Sequence, residues 1–468
     1  MKLIYNVNDK PKFGQLIVFA IQQLLAIMTA TLVVPVIVNG GNTTLNAENP
    51  LSTAAALFGA GVGTIVYLLF TKFRSPVFLG SSFAFIGSMS AAFAGASTIA
   101  LGYLGLIIGA AFAGLVYVII SICVKISGTE WINKLMPAVV IGPTVAIIGL
   151  SLAGNAVGDF QKANAGGSPL VAVLCGIVTL LVTVISSTYG KKFGKMIPFI
   201  FGILAGYAFS VILTVIGNAA GYNAIKVIDF SVFNSLLKNG AVTIKTFVEV
   251  PNFTFLTAFG AFGKLSASYI GSIAVAYVPV AFVVFAEHLA DHKNISSIIE
   301  KDLLKDPGLH RSLLGDGVGS FVGSLFGGCP NTTYGESIGC VAITKNASVY
   351  TILGAAVGAI IISFFSPFIA FVNSIPACVM GGVCMALYGF IAVSGLKMVQ
   401  EVNLNENKNL FVVSTILIAG VGGLTLTFGK VTLTSTAASL ILGIIVNLVV
   451  KKAPAEETEE VETVSANK

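Results

Sequence analysis

The sequence predicts an all-α polytopic membrane protein of fourteen transmembrane segments, arranged as a seven-plus-seven inverted repeat. Three observations carry this reading. Of the 468 residues, 56% are hydrophobic and 10% are charged, and many windows supply the roughly 20 apolar residues that a bilayer-crossing helix needs. Lys and Arg gather in alternate connections between those windows. Motifs of the first half recur in order seven segments later.

The apolar segments lie at 15–38, 51–70, 76–93, 98–123, 132–153, 169–187, 196–216, 263–287, 312–327, 331–345, 348–372, 376–395, 409–425 and 432–450. The third, ninth and tenth are short or interrupted. The N-terminus is polar and basic (Lys2, Lys10, Lys12) and runs into the first segment without a small-residue cleavage site, so no cleavable signal peptide is expected. An even number of crossings puts both termini on one side. Alternate connections carry Lys72 and Arg74, Lys125 and Lys134, Lys191, Lys192 and Lys195, Lys293 to Arg311, Lys345, Lys397, and Lys451 with Lys452. The connections at 39–50, 92–97 and 372–375 contain neither Lys nor Arg. Positive charge favours the cytoplasmic side, so both termini are predicted cytoplasmic, in a multi-pass protein of the cytoplasmic membrane. The connection at 217–262 carries Lys226, Lys238 and Lys245, but long loops follow this rule weakly. The tail Glu456-Glu457-Thr458-Glu459-Glu460 reads as a disordered, solvating end.

Six Cys (Cys123, Cys175, Cys329, Cys340, Cys378, Cys384) form no CxxC pair and no metal-ligand spacing with His; all six are expected as buried, reduced thiols. No HExxH, Ser/His/Asp arrangement, P-loop or EF-hand loop occurs. Enzymatic activity, a metal or organic cofactor, and a nucleic-acid partner are therefore not expected; lipid and a small molecule are.

The repeat is the main architectural signal. Gly59-Ala60-Gly61-Val62-Gly63-Thr64-Ile65-Val66 matches Gly315-Asp316-Gly317-Val318-Gly319-Ser320-Phe321-Val322, and Leu69-Phe70 keeps register with Leu325-Phe326. Pro137-Ala138-Val139-Val140-Ile141-Gly142 matches Pro376-Ala377-Cys378-Val379-Met380-Gly381. Both pairs lie seven segments apart. Seven is odd, so the second half crosses in the opposite sense. Inverted repeats mark secondary transporters, whose substrates bind near the midplane at broken helices. The tenth segment (Gly328-Cys329-Pro330-Asn331-Thr332-Thr333-Tyr334-Gly335-Glu336) and its mate, the third (Leu79-Gly80-Ser81-Ser82-Phe83), are both short, polar and broken by Gly. Irregular backbone at membrane depth survives only where protein buries it or where it lines a cavity.

Three carboxylates fall in neighbouring apolar segments: Glu287 at the end of the eighth, Asp316 in the ninth and Glu336 in the tenth. Each costs about 2.5–3.5 kcal/mol at mid-membrane. One or two of them are expected to bind a ligand's N–H donors, with at least one exchanging a proton; Asp316 either joins them or holds the broken backbone together. Asp291 shares a helix face with Glu287 if the helix continues past it. His288 is expected as a packing or interfacial residue, and His292 and His310 as parts of the cytoplasmic connection. Tyr334 and Tyr388 either line a planar-ligand pocket or simply pack.

The run Asp306-Pro307-Gly308-Leu309-His310-Arg311-Ser312-Leu313-Leu314-Gly315-Asp316-Gly317, then Phe326-Gly327-Gly328 and Pro330-Asn331-Thr332-Thr333-Tyr334-Gly335-Glu336, closely resembles uracil permeases of the nucleobase–ascorbate transporter (nucleobase:cation symporter-2) family. Gly80-Ser81-Ser82-Phe83-Ala84-Phe85-Ile86 and Glu287-His288 share the resemblance, which covers essentially residues 5–450. It implies a core domain from segments 1–4 (15–123) and 8–11 (263–372), and a gate domain from segments 5–7 (124–262) and 12–14 (373–450). Cytoplasmic ends would occupy 1–14 and 451–468. The broken third and tenth segments would each hold a short strand before a half-helix. The resemblance implies proton symport and a homodimer. Glu287 and Glu336 would accept hydrogen bonds from ring N–H groups of the base, and the amides of Phe83 and Gly335 would donate to its carbonyls. Ala30, Ser82, Tyr334 and Tyr388 would line the pocket and Asp316 would support it. Apart from the resemblance, protonation of Glu287, shared with Asp291, is the expected route of proton coupling. A uracil-like ring offers two N–H donors and two carbonyl acceptors, so carboxylates and free amides complement it, and Phe83 can pack against the ring.

The sequence departs from the family pattern at Gln22-Gln23, where Gln-His is frequent, and at Ser337, where the signature has Asn. Asp291 stands where uracil permeases often carry His, with His292 beside it, and Cys329 replaces a frequent Pro. Glu rather than Gln at 336 favours a pyrimidine over xanthine. The function expected is proton-coupled import of uracil or a close nucleobase by alternating access. Alternatives are a xanthine or other purine permease of this family, a sulfate or bicarbonate carrier of the same architecture, and a non-transporting nucleobase sensor.

Overall fold

The computed structural model describes residues 3–41, 51–163, 165–237, 240–428 and 431–450. The acidic tail and the Lys451–Lys452 pair lie outside the described residues. The chain is predominantly helical. In order it forms α1 (Phe13–Gly41), α2 (Thr53–Phe70), β1 (Leu79–Ser81), α3 (Ile86–Ala94), α4 (Ile99–Ser127), α5 (Glu130–Leu135), α6 (Ala138–Ser151), α7 (Ala153–Phe160), α8 (Pro169–Tyr189), α9 (Lys192–Met196), α10 (Pro198–Ala219), α11 (Ile244–Phe247), α12 (Phe255–Ala258) and α13 (Ala267–Ile299). It continues as α14 (Leu309–Leu325), β2 (Asn331–Thr333), α15 (Gly335–Thr344), α16 (Val349–Ser363), α17 (Ser366–Ser374), α18 (Ala377–Val399), α19 (Asn407–Val421), β3 (Leu426–Phe428), β4 (Val431–Leu433) and α20 (Ser435–Val450). Among the described residues, eight helical spans are long and apolar enough to cross a membrane: α1, α2, α4, α6 with α7, α8, α10, α13 and α18. The chain is a multi-pass membrane protein.

Local chemistry sets several helix starts. The side chains of Ser52, Thr98, Ser168 and Ser266 accept hydrogen bonds from the third amide beyond them, and so satisfy one of the four orphan donors at each helix N-terminus. Pro169 and Pro198 occupy first-turn positions, where no amide hydrogen is needed.

The expected strands in the third and tenth segments are present and pair antiparallel, with Leu79 opposite Thr333, Gly80 opposite Thr332 and Ser81 opposite Asn331. Two three-residue strands leave edges that lipid cannot satisfy, and side chains of the adjoining helices cover them. Thr64 on α2 accepts from the Leu79 amide (2.9 Å) and donates to the Leu79 carbonyl (3.1 Å). Ser320 on α14 accepts from the Asn331 amide (2.8 Å), and the Asn331 side chain donates to the Gly59 carbonyl (3.1 Å). Gly80 is required here: a Cβ would collide with the Tyr334 ring. The glycines of the repeated motif meet one another where α2 packs on α14, and a Cβ on Gly59 would come within 2.7 Å of the Gly323 carbonyl oxygen.

Four features differ from the sequence reading. The eighth segment does not end at Glu287; α13 continues to Ile299. His292 is accordingly not in a connection but fully buried within that helix, because Tyr67 and the His288 carbonyl satisfy its ring nitrogens. The eleventh segment divides into α16 and α17 at Phe364–Phe365, and Pro367 lies in the first turn of α17, where no amide hydrogen is needed. Cys123 is exposed on α4, whereas the other five thiols are buried, and all six are free. Two features went unforeseen. An antiparallel hairpin, β3 with β4, precedes α20. Residues 4–9 lie against the α15–α16 connection, where Ile4 donates to the Lys345 carbonyl (2.7 Å) and Ala347 to that of Tyr5 (2.9 Å).

Candidate functional site

The crossing of β1 and β2 places two segment ends at one cavity of about 340 Å³, within the range of small-molecule pockets. Phe83 arrives from the residues after β1. Tyr334, Gly335 and Glu336 arrive from the residues after β2, and Glu287 and Asp291 from successive turns of α13. Helix α13 therefore does continue, and it presents both carboxylates to the same space. All three carboxylates are half-buried. Asp291 is held by the Thr333 hydroxyl, which donates to its Oδ2 at 2.7 Å.

Glu336 sits in the first turn of α15, which begins at Gly335. The first amides of a helix have no acceptor within it and carry the positive end of the helix dipole. This end of α15 therefore offers donors and an acceptor side by side. Among the described residues that line the cavity, Lys195 is the only cation, and its side chain is exposed.

Of the expected pocket residues, Phe83, Tyr334, Gly335, Glu336, Glu287 and Asp291 line the cavity, and Ala30, Ser82 and Tyr388 do not. Ala30 and Ser82 are buried behind the wall, and the Ser82 amide is used by the Pro330 carbonyl (2.8 Å). Tyr388 reaches the cavity through Phe83, the two rings meeting edge to face at 5.5 Å. The Tyr334 hydroxyl donates to the Ser81 carbonyl (2.7 Å); the ring braces the strand crossing as well as lining the site.

Asp316 is not on the cavity. It is fully buried on α14, and its Oδ2 lies 2.7 Å from His288 Nδ1, whose other nitrogen lies 2.9 Å from the Ser312 hydroxyl. The His288 ring stacks on His292 with centroids 4.0 Å apart. His292 Nε2 then meets the Tyr67 hydroxyl (2.8 Å), which meets Ser75 (2.6 Å). His288 is thus a packing residue, as expected, but a polar one inside a continuous side-chain network. Sequence reasoning missed this network. The signal was available in the four-residue spacing of His288 and His292 on one helix face, but only the fold brings Tyr67 and Ser75 to it. Sequence reasoning also missed a buried contact between α1 and α15, in which the Gln23 side-chain amide donates to the Ser337 hydroxyl. Ser337 also accepts from the Phe78 amide (3.1 Å), immediately before β1.

A model described as a permease family matches residues 14–428. A uracil permease of Bacillus caldolyticus is 36% identical over 97% of this chain and 96% of its own length. A uracil permease of Escherichia coli (strain K12) is 34% identical over 97% of this chain and 96% of its own. Among solved structures, the transmembrane domain of a cyanobacterial bicarbonate transporter, BicA, superposes with a TM-score of 0.59 at 14% identity, covering 95% of this chain and all of that domain. That likeness speaks to fold alone. With a family match over most of its length and relatives this similar from end to end, the chain belongs to the permease family that includes the uracil permeases.

Proposed function

We propose that this protein is a proton-coupled symporter that imports uracil or a closely related nucleobase by alternating access. The observation that supports this most is the convergence of Glu287, Glu336 and the amide-bearing start of α15 on one cavity walled by Phe83. A planar ring with two N–H donors and two carbonyls finds two carboxylate acceptors, free backbone donors and an aromatic face there. An anion carrier would instead place positive or neutral groups at this point; three carboxylates and one exposed lysine do the opposite.

Proton coupling follows from charge. Glu287 and Asp291 lie four residues apart on one helix and face the same space, so two negative charges repel there. A proton taken up by the pair relieves that repulsion and leaves an acceptor for the ring. Binding and protonation then favour each other, which is what symport requires.

The fourteen-segment inverted repeat belongs to the same proposal. Helices α1, α2, α4 and α13–α16 pack on one another and would form a core; α6, α8, α10 and α18–α20 do the same and would form a gate. Core motion against the gate would carry the site from one side to the other, with both termini cytoplasmic and two copies associating as a homodimer.

Uptake of radiolabelled uracil in cells lacking their own permease tests the proposal. Uptake should be competed by unlabelled uracil and abolished by a protonophore. Uptake that ignores either treatment, or proteoliposomes that carry sulfate but not uracil, would overturn it.

A further inference from the structure

Phe83 has a cavity on each side of it. Beyond the carboxylate-lined space lies a second cavity of about 340 Å³, which also counts Phe83 among its walls. One helical stripe runs past both. Val145 on α6 faces the first cavity, and Ile148 and Ser151 on the same helix, with Asn155 on α7 just beyond it, face the second. A third cavity of about 660 Å³ shares Ile37 and Asn155 with the second. It opens among Asn39 and Asn373, at the ends of two connections without Lys or Arg that read as external, with Asp159 and Lys162 beside them. The three spaces therefore lie in series, from the cavity lined by Lys195 to the opposite face. Phe83 stands between the first and second.

We propose that the second cavity is an outer subsite for the same planar carbonyl- and N–H-bearing ring, and that Phe83 is the partition the ring must pass to reach the carboxylates. This rests on the reading of the protein as a nucleobase importer. The lining of the second cavity differs in kind from that of the first. It offers hydroxyls from Ser90, Ser151, Thr434 and Thr436 and the carboxamide of Asn155, and among the described residues no carboxylate or cation lines it. Asn155 carries one acceptor and two donors, which match an O=C–N–H edge of such a ring. The Thr434 hydroxyl accepts from the Ala437 amide (3.4 Å), so its proton is available to a ring carbonyl. A neutral site of this type selects by hydrogen-bond pattern without needing a proton, whereas the carboxylate site beyond Phe83 couples binding to protonation. Weak, charge-free holding at the outer position also leaves the ring free to move inward.

The test uses intact cells expressing the full chain with the exposed thiol removed (Cys123→Ser), and a membrane-impermeant thiol reagent applied outside. Ser151→Cys, or Thr434→Cys as the second variant, should react, and uracil should slow the reaction severalfold. Ser394→Cys, which lines the carboxylate cavity, should stay protected and become reactive when Phe83→Ala is added. Asn155→Ala should raise the KM for uptake about threefold to tenfold, the scale of one hydrogen bond, with little change in equilibrium binding to the purified protein. Reaction of Ser394→Cys with Phe83 intact overturns the partition. Absence of uracil protection at both outer cysteines, in a chain that takes up uracil, overturns the subsite. If the chain takes up no nucleobase at all, the importer reading fails, and the paired Ser394→Cys results still decide whether Phe83 divides the two spaces.

Discussion

The carboxylates gathered around the strand crossing fall into two groups that the sequence does not separate. Glu287, Asp291 and Glu336 are half-buried and face a cavity. Asp316 is sealed on the far side of α13 with His288 as its partner at 2.7 Å. Every one of them is costly at membrane depth, but the cost is met in different ways. The cavity group keeps acceptor capacity for something that arrives. Asp316 directs one oxygen to a histidine that is itself fixed by Ser312 and stacked on His292. The difference teaches that a buried charge in a transporter marks either a place where substrate is read or a joint that holds the reader in position, and that exposure to the cavity tells the two apart.

The largest effect should come from the cavity group. Glu336→Ala removes an acceptor that no neighbour replaces, and sites built around a substrate N–H lose more than about 100-fold when the pair is broken. Radiolabelled uracil uptake should fall accordingly, while Glu336→Gln, which keeps one acceptor oxygen, should retain more than Glu336→Ala. Uptake by Glu336→Ala within threefold of the parent would break the assignment of this cavity.

The sealed group should behave in the opposite way. Asp316→Ala leaves His288 without its Nδ1 partner, and orphaning a buried hydrogen-bonding group costs about 1–3 kcal/mol. Thermal unfolding in detergent should show that loss, and Asp316→Ala combined with His288→Leu should recover much of it. A chain that keeps its stability after Asp316→Ala but loses uptake would move Asp316 into the cavity group and erase the distinction.

Asp291 sharpens the comparison from the cavity side. It holds Thr333 and lies one turn from Glu287. Asp291→Asn should keep the Thr333 contact but remove a group able to take the proton. If the proton enters through the Glu287–Asp291 pair, uptake by the parent chain should decline as external pH rises, and the Asn variant should show a flatter profile with a smaller maximum. An unchanged profile would assign the proton to Glu287 alone or to another group.

Much of the candidate site is legible in the sequence. Glu287 and Glu336 stood out as charges in apolar runs, and Gly80 and Gly335 as breaks in matching segments; both signals are local in sequence. A short strand in each of these segments also followed from the family motifs, whereas the pairing of the two strands is seen only in the fold. What was not legible depended on where a helix stops. Placing the end of the eighth segment at Glu287 put His292 in a connection, because hydropathy falls there, yet the chain remains helical to Ile299 with those polar side chains partnered inside. Hydropathy records how a residue meets lipid or water, and it is blind to a polar residue that meets another 225 positions away. The β3–β4 hairpin was missed for a related reason: three-residue strands carry too little alternation to rise above an apolar helix pattern.

The smallest expected effect tests two of the sequence departures together. Gln23 and Ser337 stand where the family pattern has His and Asn, and the fold makes them partners: the Gln23 amide donates to the Ser337 hydroxyl, which also receives the Phe78 amide. One hydroxyl thereby ties α1, the approach to β1 and the half-helix that carries Glu336. Gln23→Leu and Ser337→Ala should each lower thermal stability. In a double-mutant cycle their coupling should be about 0.5–1.5 kcal/mol, the net worth of a hydrogen bond. Ser337→Ala should be the worse single change, because it orphans a backbone amide as well as Gln23. Pairing Gln23→His with Ser337→Asn should restore more than either change alone, since both sides of the contact are then replaced at once. Independent, additive effects would mean that α15 is positioned by the strand pairing alone, and that the separation between Glu336 and Phe83 owes nothing to α1.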